Sequence, residues 1–143
     1  MARYQATVNS PDSCETLFDY LADFTTTTDW DPGTVSTVRC AGDGGVGTTY
    51  RNTSRFLGRE TSLVYVVEEL VTDQRVRLRG ENTTVISVDT MTFRQSGSRT
   101  EVTYTAEFTF KGPSRLLAPL LKPAFTRLGS QAESGLRSAL TQL

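Results

Sequence analysis

From residue 34 to residue 110, apolar and polar side chains alternate in one short segment after another, a pattern typical of strands with one buried face. Together with a similar segment near the N-terminus, it predicts strands at residues 4–8, 35–40, 48–57, 60–70, 75–79, 85–94 and 100–110. Short polar or glycine-containing connections separate most of them, which favours antiparallel neighbours. An antiparallel sheet is therefore the expected framework.

The segment between the first two strands combines a helix signal with a polar stretch. Residues 17–22 carry apolar side chains at helical spacing and predict a short helix that ends near Phe24, with Pro11 at or near its first turn. Residues 25–33 are polar and end in a Pro-Gly turn, so a loop is expected there. Trp30 is the one large apolar residue in that loop.

The C-terminal segment predicts a long helix that packs on the sheet. Its apolar stripe recurs every three or four residues, through Leu117, Leu121, Phe125, Leu128, Ala132, Leu136, Ala139 and Leu143. About 30 residues of helix would extend roughly 45 Å. Pro119 and Pro123 predict a kink or short break near its start. Strands followed by one long helix give an α+β class.

The absence of histidine from the sequence limits the chemistry that the protein can perform. It excludes Ser-His-Asp and Cys-His catalysis and argues against the usual zinc and non-haem iron sites. No metal and no cofactor is therefore expected. Proton transfer at neutral pH would have to use a carboxylate, a tyrosine, a lysine or a bound water.

Charge and hydropathy indicate few macromolecular partners. The chain has 15 basic and 16 acidic residues, a balance that gives no indication of nucleic acid or an anionic membrane as partner. The longest apolar run, residues 63–67, is too short to span a bilayer, and the N-terminus lacks the apolar stretch of a secretory signal. Cys14 and Cys40 are expected to be reduced, partly buried thiols. A cytoplasmic location is the expectation.

Two strands mix polar and apolar side chains on the face that should point inward. Asn52 and Ser54 share a face with Tyr50 and Phe56, and Ser87 and Asp89 share one with Met91 and Phe93. Burying unpaired polar groups is costly, so this mixture predicts a cavity that holds water or a ligand. The alternative is that Asp89 and Asn52 lie near strand ends and are hydrated. The candidate ligand-binding residues are Trp30, Tyr50, Asn52, Ser54, Phe56, Leu63, Tyr65, Val67, Asp89, Met91, Tyr104, Phe108, Leu117, Leu121 and Phe125.

Several of these residues have a structural as well as a functional interpretation. Trp30 suits either stacking on a flat ligand or covering the core. Tyr65 and Tyr104 are either core tyrosines or catalytic acids. Asp89 is the carboxylate expected to face inward, where desolvation would raise its pKa into the range of a general acid or base. The arginines of residues 75–79 are interpreted as a solvated outer face rather than a binding site.

The order of elements and several local motifs resemble the START-like polyketide cyclase/dehydratase and lipid-transport superfamily (SRPBCC). The motifs are Trp30-Asp31-Pro32-Gly33, Gly47-Thr48-Thr49-Tyr50, Phe56-Leu57-Gly58-Arg59, Asp89-Thr90-Met91-Thr92-Phe93, Thr100-Glu101-Val102-Thr103-Tyr104, Gly112-Pro113 and Leu120-Leu121-Lys122-Pro123. The resemblance implies a helix-grip fold: a curved seven-stranded antiparallel sheet around a long C-terminal helix, with two short helices between strands 1 and 2. Residues 1–143 would then form one START-like ligand-binding domain.

Two functions from different classes remain open at this point. One is binding or transport of a small hydrophobic molecule, lipid-like or polycyclic aromatic, in an internal cavity. The other is a polyketide cyclase or dehydratase, in which Asp89 removes an α-proton and Tyr65, Tyr104 or Asn52 hydrogen-bonds the developing enolate. A third alternative, an interaction protein, would use the apolar outer face at Val64 and Val66 to form a homodimer.

Overall fold

The alternating segments form one antiparallel sheet in the computed structural model, which describes residues 2–143. Its strands are β1 Ala2–Ser10, β2 Thr34–Ala41, β3 Thr49–Phe56, β4 Arg59–Val71, β5 Arg75–Glu81, β6 Val85–Ser96 and β7 Arg99–Phe110. They are hydrogen-bonded in the order β1-β7-β6-β5-β4-β3-β2, so the first strand lies beside the last. Each predicted strand is present. Along each strand, side chains that point inward alternate with side chains that point outward, as expected from the two-residue period of a β-strand.

Two short helices connect β1 to β2, as expected from the resemblance. Helix α1, Cys14–Leu21, buries Leu17. It begins after Ser13, whose hydroxyl accepts a hydrogen bond from the N–H of Thr16. Pro11 therefore precedes the N-cap and does not lie in the first turn.

Trp30 ends a short helix and is not part of a loop. A 3-10 turn at Phe24–Thr26 leads into α2, Thr27–Trp30, and Trp30 is only 2% exposed. The prediction of a polar loop over residues 25–33 was wrong at this point. The Thr27 hydroxyl bonds the carbonyl of Phe24 and the hydroxyl of Thr37, so a polar sequence is buried with its hydrogen bonds satisfied.

The C-terminal helical segment has the predicted length of about 30 residues, begins as a 3-10 helix and continues through its second proline. A 3-10 segment, Gly112–Leu117, precedes helix α3, Ala118–Thr141. Pro119 lies in the first turn of α3, where no N–H is needed, and the helix runs on past Pro123. The break expected at these prolines is instead the change from 3-10 to α-helix at residues 117–118. Neither α3 nor any other helix within residues 2–143 has the length and apolar character to cross a membrane.

Two glycines allow α3 to approach the rest of the molecule closely. A side chain at Gly129 would overlap the ring of Tyr4 on β1, and one at Gly135 would overlap the carbonyl oxygen of Trp30. Leu136, one residue further along, is fully buried. Backbone contact at these points fixes the position of α3 against the sheet and α2.

The outer face of the sheet is charged, as the alternation of residues 75–79 indicated. Arg75, Arg77 and Arg79 pair with Glu69, Glu68 and Glu81 at 3.1, 3.4 and 2.9 Å. These side chains are all more than one-third exposed, so the pairs stabilise the fold little. Cys14 on α1 and Cys40 on β2 are free thiols, and Cys40 is exposed rather than partly buried.

Candidate functional site

The sheet and α3 enclose a cavity of about 220 Å³. Its large apolar lining residues are mostly aromatic: Phe24, Trp30, Phe56, Leu63, Val85, Phe108, Phe110, Leu121, Phe125 and Leu128. Its polar lining includes Thr27, Asp31, Asn52, Ser54, Tyr65, Ser87, Asp89 and Tyr104. Arg55 and Thr84 at its edge are exposed, so the cavity opens towards the surface at that end.

Asp89 lies in the middle of β6 with its carboxylate directed inward. It pairs with Leu78 on β5 and with Ala106 on β7, and its residue is only 6% exposed. The alternative of a hydrated carboxylate near a strand end is therefore wrong. The hydroxyl of Ser87 donates to Oδ1 at 2.8 Å, and that of Tyr104 donates to Oδ2 at 2.9 Å.

Tyr65 belongs to the same cluster because Gly80 leaves room for its ring. Strand pairing places Tyr65, Gly80 and Ser87 side by side on β4, β5 and β6. A Cβ atom at Gly80 would lie 2.6 Å from Cε1 of Tyr65, so the tyrosine ring lies across the bare backbone of β5. Its hydroxyl is thereby directed to the neighbourhood of Ser87 and Asp89.

Burial determines the acid–base behaviour of this cluster. It raises the pKa of Asp89 to about 6, an effect that the hydrogen bonds from Ser87 and Tyr104 oppose and the charge of Asp31 reinforces. Burial also raises the pKa of Tyr65 and of Tyr104 well above the usual value, and the charge of Asp89 adds to both shifts. At pH 7 the site therefore holds an ionised carboxylate next to two neutral phenols.

A second polar network connects Asn52 to Asp31 along one side of the cavity. Ser54 donates to Oδ1 of Asn52 at 2.7 Å, and Nδ2 of Asn52 donates to Thr37 at 2.8 Å and to Thr34 at 3.2 Å. Thr34 in turn donates to Oδ2 of Asp31 at 3.1 Å. Both amide hydrogens of Asn52 thus have protein partners.

Asp31 has a structural explanation of its own. Its Oδ1 accepts the N–H of Gly33 at 3.0 Å, which fixes the turn into β2. Burial raises its pKa, and the hydrogen bonds from Gly33 and Thr34 partly offset that shift. From the sequence, Asp31 was predicted only as part of the turn before the second strand. Its position directly after Trp30 is the sequence feature that could have indicated a place in the cavity lining.

Aromatic rings form the wall next to α3. Phe125 on α3 stacks between Phe56 and Phe108, with ring centroids 5.0 and 4.9 Å away. Deeper in the cavity, Trp30 contacts Tyr104 edge to face at 5.3 Å. The indole Nε1 of Trp30 is buried and has no hydrogen-bond partner within residues 2–143.

Most of the candidate binding residues line this cavity, and four lie elsewhere. Tyr50, Val67 and Met91 are buried among core side chains outside the cavity lining. Leu117 is 52% exposed because it ends the 3-10 segment before α3 begins. Lining residues outside the candidate set are Tyr4, Phe24, Thr27, Asp31, Ser87, Ala106, Phe110, Leu128, Gly129 and Ala132, among others.

Solved structures of other proteins share this fold. The protein TTHA0849 from Thermus thermophilus superposes with a TM-score of 0.81 at 17% identity, covering 98% of this chain and 97% of that one. A START superfamily protein from Mycobacterium smegmatis gives 0.80 at 14% identity and 99% coverage of both chains. The Zhui aromatase/cyclase from Streptomyces sp. R1128 gives 0.77 at 13% identity, covering 96% and 90%. At these identities the likeness concerns the fold.

Sequence comparison is decisive for the family. No curated protein matches the chain. The sequence profile of the family described as "Polyketide cyclase / dehydrase and lipid transport", however, matches residues 1–141. The helix-grip architecture and the cavity under α3 agree with that match, and the chain belongs to the polyketide cyclase/dehydrase and lipid transport family.

Proposed function

We propose that the protein binds a small hydrophobic molecule in the cavity between the sheet and α3. The observation that supports this most directly is the cavity itself, about 220 Å³ of space bordered mainly by aromatic and aliphatic side chains. Cores normally pack without such a void, because an unfilled apolar cavity costs stability. A ligand that fills the space would recover that loss by removing apolar surface from water.

The size of the cavity favours a compact ligand. Pockets for drug-sized ligands are commonly about 300–1,000 Å³, and an engineered apolar cavity of about 150 Å³ binds benzene. A volume of about 220 Å³ is therefore suited to one or two fused rings or a short acyl chain. The aromatic side chains of Phe125 and Trp30 in the cavity wall favour a planar ring system over a short acyl chain.

A panel of ligands tests this proposal directly. Native mass spectrometry of the purified protein would look for a co-purified small molecule, and thermal unfolding would then be followed with fatty acids, sterols and flat aromatic compounds. Binding to the folded state alone should raise the melting temperature by several degrees at saturating ligand. If no member of the panel raises it and no molecule co-purifies, the proposal fails.

A matched pair of variants connects any binding to the cavity. Ala106→Leu adds side-chain volume at a buried lining position next to Asp89, whereas Thr105→Leu places the same side chain on the outer face of β7. The first should remove the ligand-induced shift, and the second should retain it. Equal shifts in both variants would locate the ligand somewhere else.

A second candidate function is that of a cyclase or dehydratase, favoured by Asp89 and its tyrosines. A carboxylate with a pKa of about 6 is suited to abstracting a proton next to a carbonyl group. Tyr65 would then hydrogen-bond the developing enolate oxygen, because the amide hydrogens of Asn52 already have protein partners. The cavity would hold a poly-β-ketone chain in a reactive conformation.

The Asp89→Asn variant distinguishes the two functions. If the site is catalytic, turnover of a poly-β-ketone substrate should be abolished while affinity for the substrate is largely kept. Asp29→Asn, which changes an exposed carboxylate outside the cavity in the same way, serves as the matched control. Full activity of the Asp89→Asn variant would eliminate this mechanism.

A further inference from the structure

The hydrogen-bond donors and acceptors of the cavity are unequally available to a ligand. Most buried donors are already used within the protein: the hydroxyls of Ser87 and Tyr104 on Asp89, that of Ser54 on Asn52, and the amide of Asn52 on two threonines. One buried donor of the lining has no partner within residues 2–143, the indole N–H of Trp30, whereas the hydroxyl of Tyr65 interacts with Ser87 and Asp89.

The acceptor capacity of Asp89 is larger than its present use. An ionised carboxylate has about four lone-pair positions, and each oxygen of Asp89 accepts one protein hydroxyl, with the Tyr65 hydroxyl nearby as a third donor. Asp89 lines the cavity, so the remaining positions are open to a ligand that carries a donor. A hydrogen bond to a charged acceptor is also stronger than one between neutral groups.

The electrostatics of the cavity disfavour an anion. Asp31 and Asp89 both line it. Arg55 is the only lysine or arginine in the lining formed by the described residues, and it is exposed at the open end. A carboxylate placed deep in the cavity would face two like charges without a buried cation to pair with.

We infer that the cavity selects an uncharged ring molecule of one or two fused rings whose hydroxyl donates to Asp89 and accepts from Trp30. A hydroxyl is the group that fits both requirements, since it donates one hydrogen bond and accepts others. An ammonium only donates, and would leave the buried indole N–H unpaired. An ether or ketone only accepts, and would leave Asp89 unused. This inference rests on the proposed binding function and adds the chemical class of the ligand.

Three probes with the same ring system test the inference at pH 7.5 by isothermal titration calorimetry. 2-Naphthol carries a hydroxyl, 2-methoxynaphthalene only an acceptor, and 2-naphthoate a carboxylate. 2-Naphthol should bind about tenfold or more tightly than 2-methoxynaphthalene, the ratio expected for one hydrogen bond to a charged group. 2-Naphthoate should bind most weakly of the three.

The Asp89→Asn variant should reduce the preference for the hydroxyl to within about threefold, because the charged acceptor is gone. Asp29→Asn removes an exposed carboxylate outside the cavity and should keep the preference of the wild-type protein. If the Asp89→Asn protein does not fold, the wild-type ratios decide the inference alone.

These measurements distinguish failure of the hydroxyl selectivity from failure of the proposed hydrophobic binding. Equal affinities for 2-naphthol and 2-methoxynaphthalene, or tightest binding of 2-naphthoate, would overturn the selectivity while leaving hydrophobic binding intact. If none of the three probes binds, both the selectivity for a hydroxyl and the proposed binding of ring molecules are overturned. A preference for 2-naphthol that persists unchanged in the Asp89→Asn variant would show that Asp89 is not the acceptor.

Discussion

The hydroxyl of Tyr104 on β7 donates a 2.9 Å hydrogen bond to Oδ2 of Asp89 on the adjacent strand β6. The two residues are diagonal neighbours, since Asp89 pairs with Ala106 and Tyr104 pairs with Met91. Asp89, Tyr104 and Ala106 all line the cavity, so the carboxylate faces it next to the phenol. This hydrogen bond joins the acidic group of the site to the aromatic residue that Trp30 contacts.

The first prediction concerns the pH dependence of stability. The pKa of Asp89 is about 6 in the folded protein, against an ordinary value of 3.8, so the folded state binds this proton more tightly than the unfolded chain does. The resulting stabilisation is present below pH 4 and is lost as the pH rises through 6. The difference corresponds to about 3 kcal/mol.

Comparison with Asp89→Asn isolates this contribution. Unfolding free energies from urea titrations at pH 4, 5, 6 and 7 should show the wild-type protein losing up to about 3 kcal/mol relative to the variant as the pH increases. Other ionisable groups contribute to both proteins and cancel in the difference. A wild-type protein that gains stability relative to the variant over this range would contradict the raised pKa of Asp89.

Removing the hydroxyl of Tyr104 is predicted to affect Asp89 directly. In Tyr104→Phe a buried carboxylate loses a donor, so the free energy of unfolding at pH 7 should fall by about 1–3 kcal/mol. The pKa of Asp89, followed by carboxyl carbon NMR, should rise above about 6. The control is Tyr20→Phe, whose hydroxyl bonds Asp29 at the exposed surface and should cost less than about 1 kcal/mol. An unchanged pKa of Asp89 would contradict the prediction.

The sheet and the inward direction of Asp89 were predictable from the sequence, because a period of two fixes which side chains share a face. Trp30 and its surroundings were not. Residues 27–30 form a single helical turn, too short for any periodic signal, and Trp30 is buried by tertiary contacts with core residues such as Tyr104. The place of Tyr65 beside Asp89 depends on the register of β4 and β5, which includes an irregularity at residues 67–69 and could not be read from either strand alone.

Gly80 is predicted to be the residue that admits Tyr65 to the site. In Gly80→Ala the new Cβ would lie 2.6 Å from the tyrosine ring, so the ring must move away or the strands must separate. Overpacking of this kind costs about 1–3 kcal/mol. In the control Gly45→Ala, the new Cβ would meet only the Asp43 side chain in an exposed loop, and stability should change little. Equal unfolding free energies of the two variants in urea would refute the role of Gly80.

The last prediction concerns Asn52, which holds the second polar network together. Substitution by alanine removes the acceptor of Ser54 and the donor to Thr37 and Thr34 at once. Thr37 is buried and keeps only its contact with the hydroxyl of Thr27, so part of the network loses partners without gaining water.

The free energy of unfolding of Asn52→Ala should therefore fall by about 2–4 kcal/mol. This figure adds the hydrogen bonds lost with the amide to the cost of leaving its buried partners unpaired. Thr53→Ala on the same strand is the matched control. Its hydroxyl contacts only Ser62 on the exposed outer face, and the loss should stay below about 1 kcal/mol. If both variants unfold at the same urea concentration, Asn52 is not the centre of a buried network, and its amide is free to serve the ligand directly.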